Sequence, residues 1–342
     1  MLGDTNLLFF ILGATIVVMV LVDMIGTIFG ADSAGPFSRV FMKISWRAIL
    51  TIHNRKPFHR ILSYVGPILM ICTISFWYVF TLGGFWLIVM SDSEAATAKS
   101  SAEVMSPADK FYFVSSTVSS LGYGDYVPLA FPWTAVSGLM TFLGTFVLTL
   151  SLSYVISVLS AATERRSLGQ TIFGGGNTLD SYVSFLDVEA SDSVVSTFVL
   201  STCDMIDGQA QKHLAYPVLK YFHSVEVETA ASRALLLFAD AMFLRKLQGH
   251  DSKTMQSLAK VFFSSVEGFS EINYTAISDR DRGEKVPEAL TEVGPKIGLT
   301  ESEISEAFAS YHPLRKKMLD LCEEDGWRAP DRMVRYDDAS IH

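Results

Sequence analysis

Residues 117–125 have the sequence T-V-S-S-L-G-Y-G-D, in which two glycines flank a single tyrosine. Glycine adopts positive φ angles at little steric cost, so Gly122 and Gly124 predict a backbone that alternates between left-handed and ordinary conformations. This geometry lets the side chain of Tyr123 point away from the surface that the backbone presents. Because short glycine-containing strings also occur in ordinary turns, the function of this stretch has to be judged from its surroundings.

A short helix is predicted immediately before this stretch. Ser106 and Asp109 are candidate N-terminal caps for the run 110–120, which contains Tyr112. The carboxyl end of such a helix carries a partial negative charge, and here it would be directed at residues 117–125.

Three long apolar stretches, 7–29, 61–90 and 131–160, surround the short helix and the glycine loop. The first has 23 residues, about 34 Å as a helix against a hydrocarbon core of about 30 Å. It lacks the basic leader of a signal peptide, so we expect it to be retained as a structural helix. With 49% hydrophobic and 18% charged residues and a mean hydropathy of +0.32, the chain is predicted to be an all-α, multi-pass protein of the cell membrane.

The segment 31–60 carries most of the positive charge of the first 160 residues. Its basic residues are Arg39, Lys43, Arg47, Arg55, Lys56 and Arg60. The positive-inside rule therefore places this connector in the cytoplasm, the N-terminus outside and everything after residue 160 in the cytoplasm. An apolar helical face predicts that the connector contains an amphipathic helix at the inner membrane surface; that face comprises Phe37, Val40, Phe41, Ile44 and Ala48, while Met42, Trp46 and Ile49 lie outside it.

Residues 61–160 resemble the pore of tetrameric potassium channels, in which a T-V-G-Y-G-D filter lies between two membrane helices. The resemblance implies a re-entrant pore helix, a homotetramer in a lipid membrane, and K⁺ as the permeant ion without an organic cofactor. It also implies that backbone carbonyls replace the hydration shell of the ion. The residues so assigned are Ser120, Leu121, Gly122, Tyr123 and Gly124, with Tyr112 placed to donate a hydrogen bond to Asp125.

Two filter positions depart from the family pattern. Ser120 replaces the usual threonine and loses a methyl group that helps to fix the rotamer, and Leu121 replaces valine. We expect the filter to form, with looser packing and weaker selectivity. A weakly selective monovalent cation channel is therefore an alternative to a potassium channel.

The third apolar stretch provides candidate gating residues. Gly144 lies where the family commonly has a hinge glycine, although a small residue can equally serve close helix packing. The family's lining positions fall on Thr145, Leu148, Leu152, Ser153 and Ile156, of which Leu152 and Ile156 are candidates for a hydrophobic gate. Asp23 in the first apolar stretch is expected to pair with Arg60 or Lys43, or to reach the headgroup region.

The remaining residues predict a linker, 161–178, and a helical regulatory domain, 179–342. The linker contains three consecutive glycines, 174–176, and helical periodicity follows it over 194–206, 213–223, 227–247, 252–266, 287–297 and 300–322. The run 234–244 is apolar on nearly every side but too short to span a membrane, so a buried core helix with a partner for Asp240 is expected. We find no catalytic motif, so no enzymatic activity is expected, and any cytoplasmic ligand is unidentified.

The net charge of −9 arises entirely after residue 160, where 28 acidic residues face 19 basic ones. This balance argues against nucleic-acid binding, which needs a basic surface. Two further classes remain as alternatives. An active potassium transporter would normally carry four pore loops where this chain has one, and a membrane-tethered helical scaffold would make the second half the main functional part.

Overall fold

The computed structural model describes residues 6–30, 34–55, 58–99, 104–273 and 285–327 of the 342. The protein is an all-α membrane protein, as the sequence predicts. It divides into two compact units: the first comprises Met1–Met42 and Ile68–Ser157, and the second comprises Lys43–Pro67 and Val158–His342. The second half of the predicted connector therefore belongs with the C-terminal helices.

Three helices in the described part of the chain are long and apolar enough to cross a membrane. They are α1 (Leu7–Phe29), α3 (His59–Met90) and α5 (Trp133–Phe173), and they correspond to the three predicted stretches, with α5 beginning two residues later and ending 13 residues later than predicted. Between them lie α2 (Pro36–Arg55), α4 (Pro107–Val118) and two short strands, β1 (Ala96–Ala98) and β2 (Tyr126–Pro128). The strands pair antiparallel, with Ala96 opposite Pro128.

Two glycines bring α1 and α3 into close contact in the first unit. A Cβ added to Gly13 would lie 2.5 Å from the carbonyl oxygen of Gly84, and one added to Gly84 would lie 2.7 Å from Cγ2 of Val17. Both distances are shorter than any real contact, so the two helices can approach this closely only with glycine at both positions.

Asp23 of α1 is buried, and its partners differ from those expected. Its carboxylate accepts hydrogen bonds from the backbone N–H groups of Phe37 (2.8 Å) and Ser38 (3.0 Å), from the Ser38 hydroxyl and from the indole of Trp77 (2.9 Å). The predicted pairing with Arg60 or Lys43, and the headgroup alternative, are both wrong. The carboxylate instead caps the N-terminus of α2, where unpaired N–H groups and the helix dipole favour a negative charge.

Helix α2 has a second apolar face that the sequence analysis did not predict. Met42 and Trp46, which fall outside the predicted face, are buried, whereas Phe37, Val40 and Ile44 of the predicted face are exposed. One face of α2 therefore packs against protein, and another leaves apolar side chains uncovered within the single chain.

The predicted linker, 161–178, is helical over 161–173, because α5 continues to Phe173. Leu168 and Ile172 on this extension are fully buried in the core of the second unit. Burial of these side chains favours helix over an open hinge, and the chain leaves the helix only at the glycines that follow. The amide of Gly174 still bonds to Gln170 O.

The second unit is a helical assembly arranged around α8, whose residues from Ala231 to Arg245 are all buried. This confirms the predicted core helix. The helix expected over 213–223 is wrong: α7 ends at Ala215, and a 3-10 helix begins at Pro217, which has no N–H to continue an α-helix. The helices are α6 (Leu179–Phe185), α7 (Val188–Ala215), α8 (Ala231–Gln248), α9 (Lys253–Asn273), α10 (Glu288–Val293) and α11 (Glu301–Glu324).

The buried carboxylate of Asp240 in α8 is held by α11. Arg315 donates to both of its oxygens, from Nε at 2.9 Å and from Nη2 at 3.1 Å, and the Tyr311 hydroxyl donates at 2.8 Å. Asp240 is 0% exposed and the Arg315 side chain 7% exposed, so the two opposite charges stabilise each other away from water.

We therefore expect Asp240→Ala to lower the free energy of unfolding by about 3–5 kcal/mol, because it leaves the Arg315 charge buried without its counterion. The matched control is Asp180→Ala, which removes an exposed carboxylate 3.0 Å from Lys296 and should cost less than about 1 kcal/mol. Thermal unfolding of the full chain in detergent measures both. Equal melting temperatures for the two variants would contradict the assigned importance of the buried pair.

Candidate functional site

Helix α4 begins with the predicted caps. The Ser106 hydroxyl accepts a hydrogen bond from Asp109 N, and the Asp109 carboxylate accepts one from Ser106 N, which together form a capping box with Pro107 at the start of the helix. Tyr126 of β2 donates to the other Asp109 oxygen at 2.8 Å. Hydrogen bonds from Ser106 and Tyr126 lower the pKa of Asp109, so the cap stays ionised. The short helix leading into residues 117–125 is thus confirmed.

The backbone after α4 alternates in handedness. The φ angle is +61° at Ser120, +57° at Gly122 and +81° at Gly124, while Leu121 and Tyr123 between them keep negative φ. The amides of Leu121 and Gly122 both donate to Ser116 O, at 2.9 and 3.1 Å. The positive φ at both glycines agrees with the sequence prediction, whereas the positive φ at Ser120 was not foreseen and is sterically unusual for a residue with a side chain.

An aromatic pair supports the outer end of this loop. The Tyr112 hydroxyl donates to Asp125 at 3.0 Å, as predicted, and the rings of Tyr112 and Tyr123 stack with centroids 6.0 Å apart. Desolvation first, and then the neighbouring Asp125, raise the pKa of Tyr112, so its hydroxyl remains a donor. On the far side, the amide of Lys99 donates to Asp125 O at 2.9 Å next to the β1–β2 pair.

Helix α5 holds the inner end of the loop through hydroxyl groups. The hydroxyls of Ser120 and Thr145 lie 2.9 Å apart, and Thr141 donates to Thr117 O at 3.3 Å. The sequence analysis did not connect the hydroxyl groups of Thr141 and Thr145 with the loop. Its four-residue spacing was the available signal, since residues four apart lie on one face of a helix.

Gly144 packs directly against the end of α4. A Cβ at position 144 would lie 2.0 Å from Val118 O, a distance that no side chain can occupy. Of the two roles weighed for this residue, the structure therefore supports close packing. A hinge at Gly144 stays a prediction.

A buried lysine that the sequence analysis did not single out ties three elements together. Lys110 Nζ donates to Asp92 O at 2.6 Å and to Val89 O at 3.3 Å, at the end of α3. The Asp92 carboxylate in turn accepts from the indole of Trp133, at the start of α5, at 3.1 Å. Burial lowers the pKa of Lys110, and the charge of Asp92 opposes this shift.

The loop and one face of α5 are uncovered in the single chain. Leu121 is 57% exposed and Tyr123 63% exposed. The five positions predicted to line a pore (Thr145, Leu148, Leu152, Ser153 and Ile156) are all exposed as well. Large apolar surface of this kind on a membrane protein faces either lipid or another subunit.

Comparison with known proteins agrees with this geometry. Residues 68–161 match a family model described as "Ion channel". The chain is also 26% identical over 239 residues to the uncharacterized membrane protein YdjJ of Bacillus subtilis (strain 168), covering 70% of each chain. No solved structure matches. The family match supports an ion channel in a membrane, and hence a transport protein rather than an enzyme.

The contact at Gly144 gives a stability prediction with a matched control in the same helix. Gly144→Ala forces its methyl group into Val118 O and should destabilise the protein by about 1–3 kcal/mol. Gly138→Ala, whose Cβ would meet no described atom within 4 Å, should be neutral or stabilising by up to about 1 kcal/mol. Melting temperatures in detergent measure the pair, and an unaffected Gly144→Ala protein would argue against the close contact.

Proposed function

We propose that the protein is a homotetrameric potassium channel of the cell membrane, with residues 120–124 as its selectivity filter. The observation that carries the proposal is the alternation of φ at Ser120, Gly122 and Gly124 directly after a short capped helix. Alternating handedness directs successive carbonyls to one side of the backbone, which is what coordination of a dehydrated cation requires. The contacts of Tyr112 with Tyr123 and Asp125 support the loop from behind.

Assembly follows from the number of loops. Each chain provides one filter, and Leu121 and Tyr123 are exposed in the single chain. Non-helical backbone at membrane depth is tolerated only when it is covered by protein or lines a water-filled path. Four chains around one axis meet both conditions, with K⁺ on the axis and no organic cofactor.

The exposed face of α5 then lines the path on the cytoplasmic side of the filter. Leu152 and Ile156 on this face are 62% exposed each and form our candidate gate, since a hydrophobic ring closes a pore by dewetting. The proposed topology keeps the N-terminus outside and the second unit in the cytoplasm as a regulatory domain. The basic residues and uncovered apolar residues of α2 suit the inner membrane surface.

Replacing Gly122 tests the filter. Gly122→Ala forces a Cβ into φ +57°, which costs about 1–2 kcal/mol in each of four subunits, although the added atom would meet no described atom within 4 Å. We expect potassium flux into proteoliposomes to be abolished while membrane insertion is retained.

The control for this experiment is Gly138→Ala, which should conduct as the wild type does. Unchanged flux through the Gly122→Ala protein would refute the filter assignment. A wild-type protein that is folded and tetrameric but carries no flux would favour the membrane-tethered scaffold instead.

A weakly selective cation channel is the second candidate, and Ser120 favours it. This residue holds a positive φ with a single hydrogen-bonding hydroxyl and no methyl group to fix its rotamer. The double variant Ser120→Thr/Leu121→Val should increase discrimination of potassium over sodium. Bi-ionic reversal potentials measure the change, with Ser119→Thr, just outside the filter, as control. An identical reversal potential in all three proteins would mean that these side chains do not set selectivity.

A further inference from the structure

Three histidines from separate parts of the sequence lie together in the second unit. His53 is near the end of α2, His59 is the first residue of α3, and His223 follows the 3-10 helix Pro217–Tyr221. The ring centroids of His53 and His59 are 4.8 Å apart, and those of His59 and His223 are 5.1 Å apart. His53 and His223 are buried. We refer to these three residues as the histidine cluster.

The chain segment that follows α11 packs onto this cluster. The Trp327 ring stacks on His59 with centroids 4.6 Å apart and lies 5.2 Å from His223. Arg233 of α8 covers the indole, with Cζ 5.2 Å from its centroid. The indole of Trp46 on α2 donates to Glu324 O. We call residues 324–327 the latch, because they contact α2, α3 and α8 at once.

The latch also holds the extension of α5. The Asp325 carboxylate accepts from Arg165 at 2.5 Å, and the same guanidinium donates to Leu219 O and Phe222 O. Since α3 and α5 both continue into the proposed pore segment, the latch joins the starting point of one pore helix to the end of the other.

The hydrogen bonds of His53 require an uncharged ring. Its Nε2 faces Gly326 O at 3.0 Å, and because a carbonyl only accepts, Nε2 carries the hydrogen. Its Nδ1 accepts from the backbone N–H of Phe58 at 3.1 Å. A second proton on Nδ1 would place a ring N–H opposite the backbone N–H of Phe58. His53 can therefore become charged only if this contact breaks.

His223 is constrained in the same way. Its Nδ1 donates to Asp325 O, so its Nε2 is the acceptor for Nδ1 of His59, 2.9 Å away. Arg165 is a cation near the ring, and its guanidinium is paired with the Asp325 carboxylate, while Arg233 covers the neighbouring Trp327 ring. Burial, opposed by the bond to Asp325 O, lowers the pKa of His223 to about 3. Burial and Arg165 likewise lower the pKa of His213, on α7, to about 3.

We propose that the histidine cluster and the latch form an acid-sensitive regulator of the pore: the latch is docked while the histidines are neutral and is released when they take up protons. The regulatory part rests on the proposed channel function. The latch itself is a property of the second unit and is tested separately.

The sign of the pH dependence follows from linkage. A histidine whose pKa is depressed in the docked state and returns to about 6.5 on release contributes to docking above pH 6.5 and opposes it progressively below. His223 therefore weakens docking about tenfold between pH 7.5 and pH 5.5. His53 acts in the same direction, because its two hydrogen bonds require a neutral ring.

Hydrogen exchange on the full-length protein in nanodiscs tests the latch. The amides of residues 325–327 are hydrogen-bonded at the end of α11. We expect their protection, corrected for the intrinsic exchange rate, to fall at least about tenfold from pH 7.5 to pH 5.5. The double variant His53→Gln/His223→Asn keeps the donors to Gly326 O and Asp325 O without a titrating ring, and its protection should be independent of pH. The control His250→Gln, which changes an exposed histidine, should keep the wild-type profile.

Single-channel recording tests the regulation. Trp327→Ala removes the stacking contact and should give, at pH 7.5, the open probability that the wild type shows at pH 5.5, while the double variant should show no change with pH. Protection that does not depend on pH would overturn the latch. Protection that falls with acid while open probability stays constant would overturn the regulation, and a protein with no conductance at any pH would refute the channel function while the exchange data still decide the latch.

Discussion

The contact between Val118 O and the backbone of Gly144 sets the position of everything around the glycine loop. Because a side chain at 144 would overlap the carbonyl, α4 ends directly on α5, and only this approach brings Ser120 within hydrogen-bond distance of Thr145. The loop amides then turn back to Ser116 O. A larger residue at 144 would push the helix end away and leave these polar groups without their partners, at a cost that rises in a water-poor environment.

The need to pair buried polar groups also explains the surroundings of two buried charged residues in the first unit. Asp23 is surrounded by four donors from α2 and α3, so the carboxylate is solvated by protein and fixes where α2 begins. Lys110 is solvated in the same manner by carbonyls at the end of α3. In both cases a residue that would be costly against lipid joins neighbouring elements, because hydrogen bonds with those elements stabilise its charge.

Residues 324–327 contact three helices within the second unit. Arg165 on α5, His59 on α3 and Trp46 on α2 all contact residues 324–327. Helix α5 continues through Phe173, so Arg165 and its contacts lie on a regular helix and not on the three glycines that follow. A protonation step at the histidine cluster is therefore placed where it acts on helices and not on a flexible tether.

The sequence by itself determined the features that depend on local chemistry and periodicity. The three apolar helices, the cap at Ser106 and the positive φ at Gly122 and Gly124 follow from residue type and spacing. The Tyr112–Asp125 bond was implied by the resemblance to potassium-channel pores. The tertiary structure alone decided the partners of Asp23, the contact of Gly144 and the assembly of His53, His59 and His223. These contacts depend on which helix surfaces pack together in the folded chain. Helical periodicity and capping motifs do not predict such packing, because both describe only residues within one or two turns of each other.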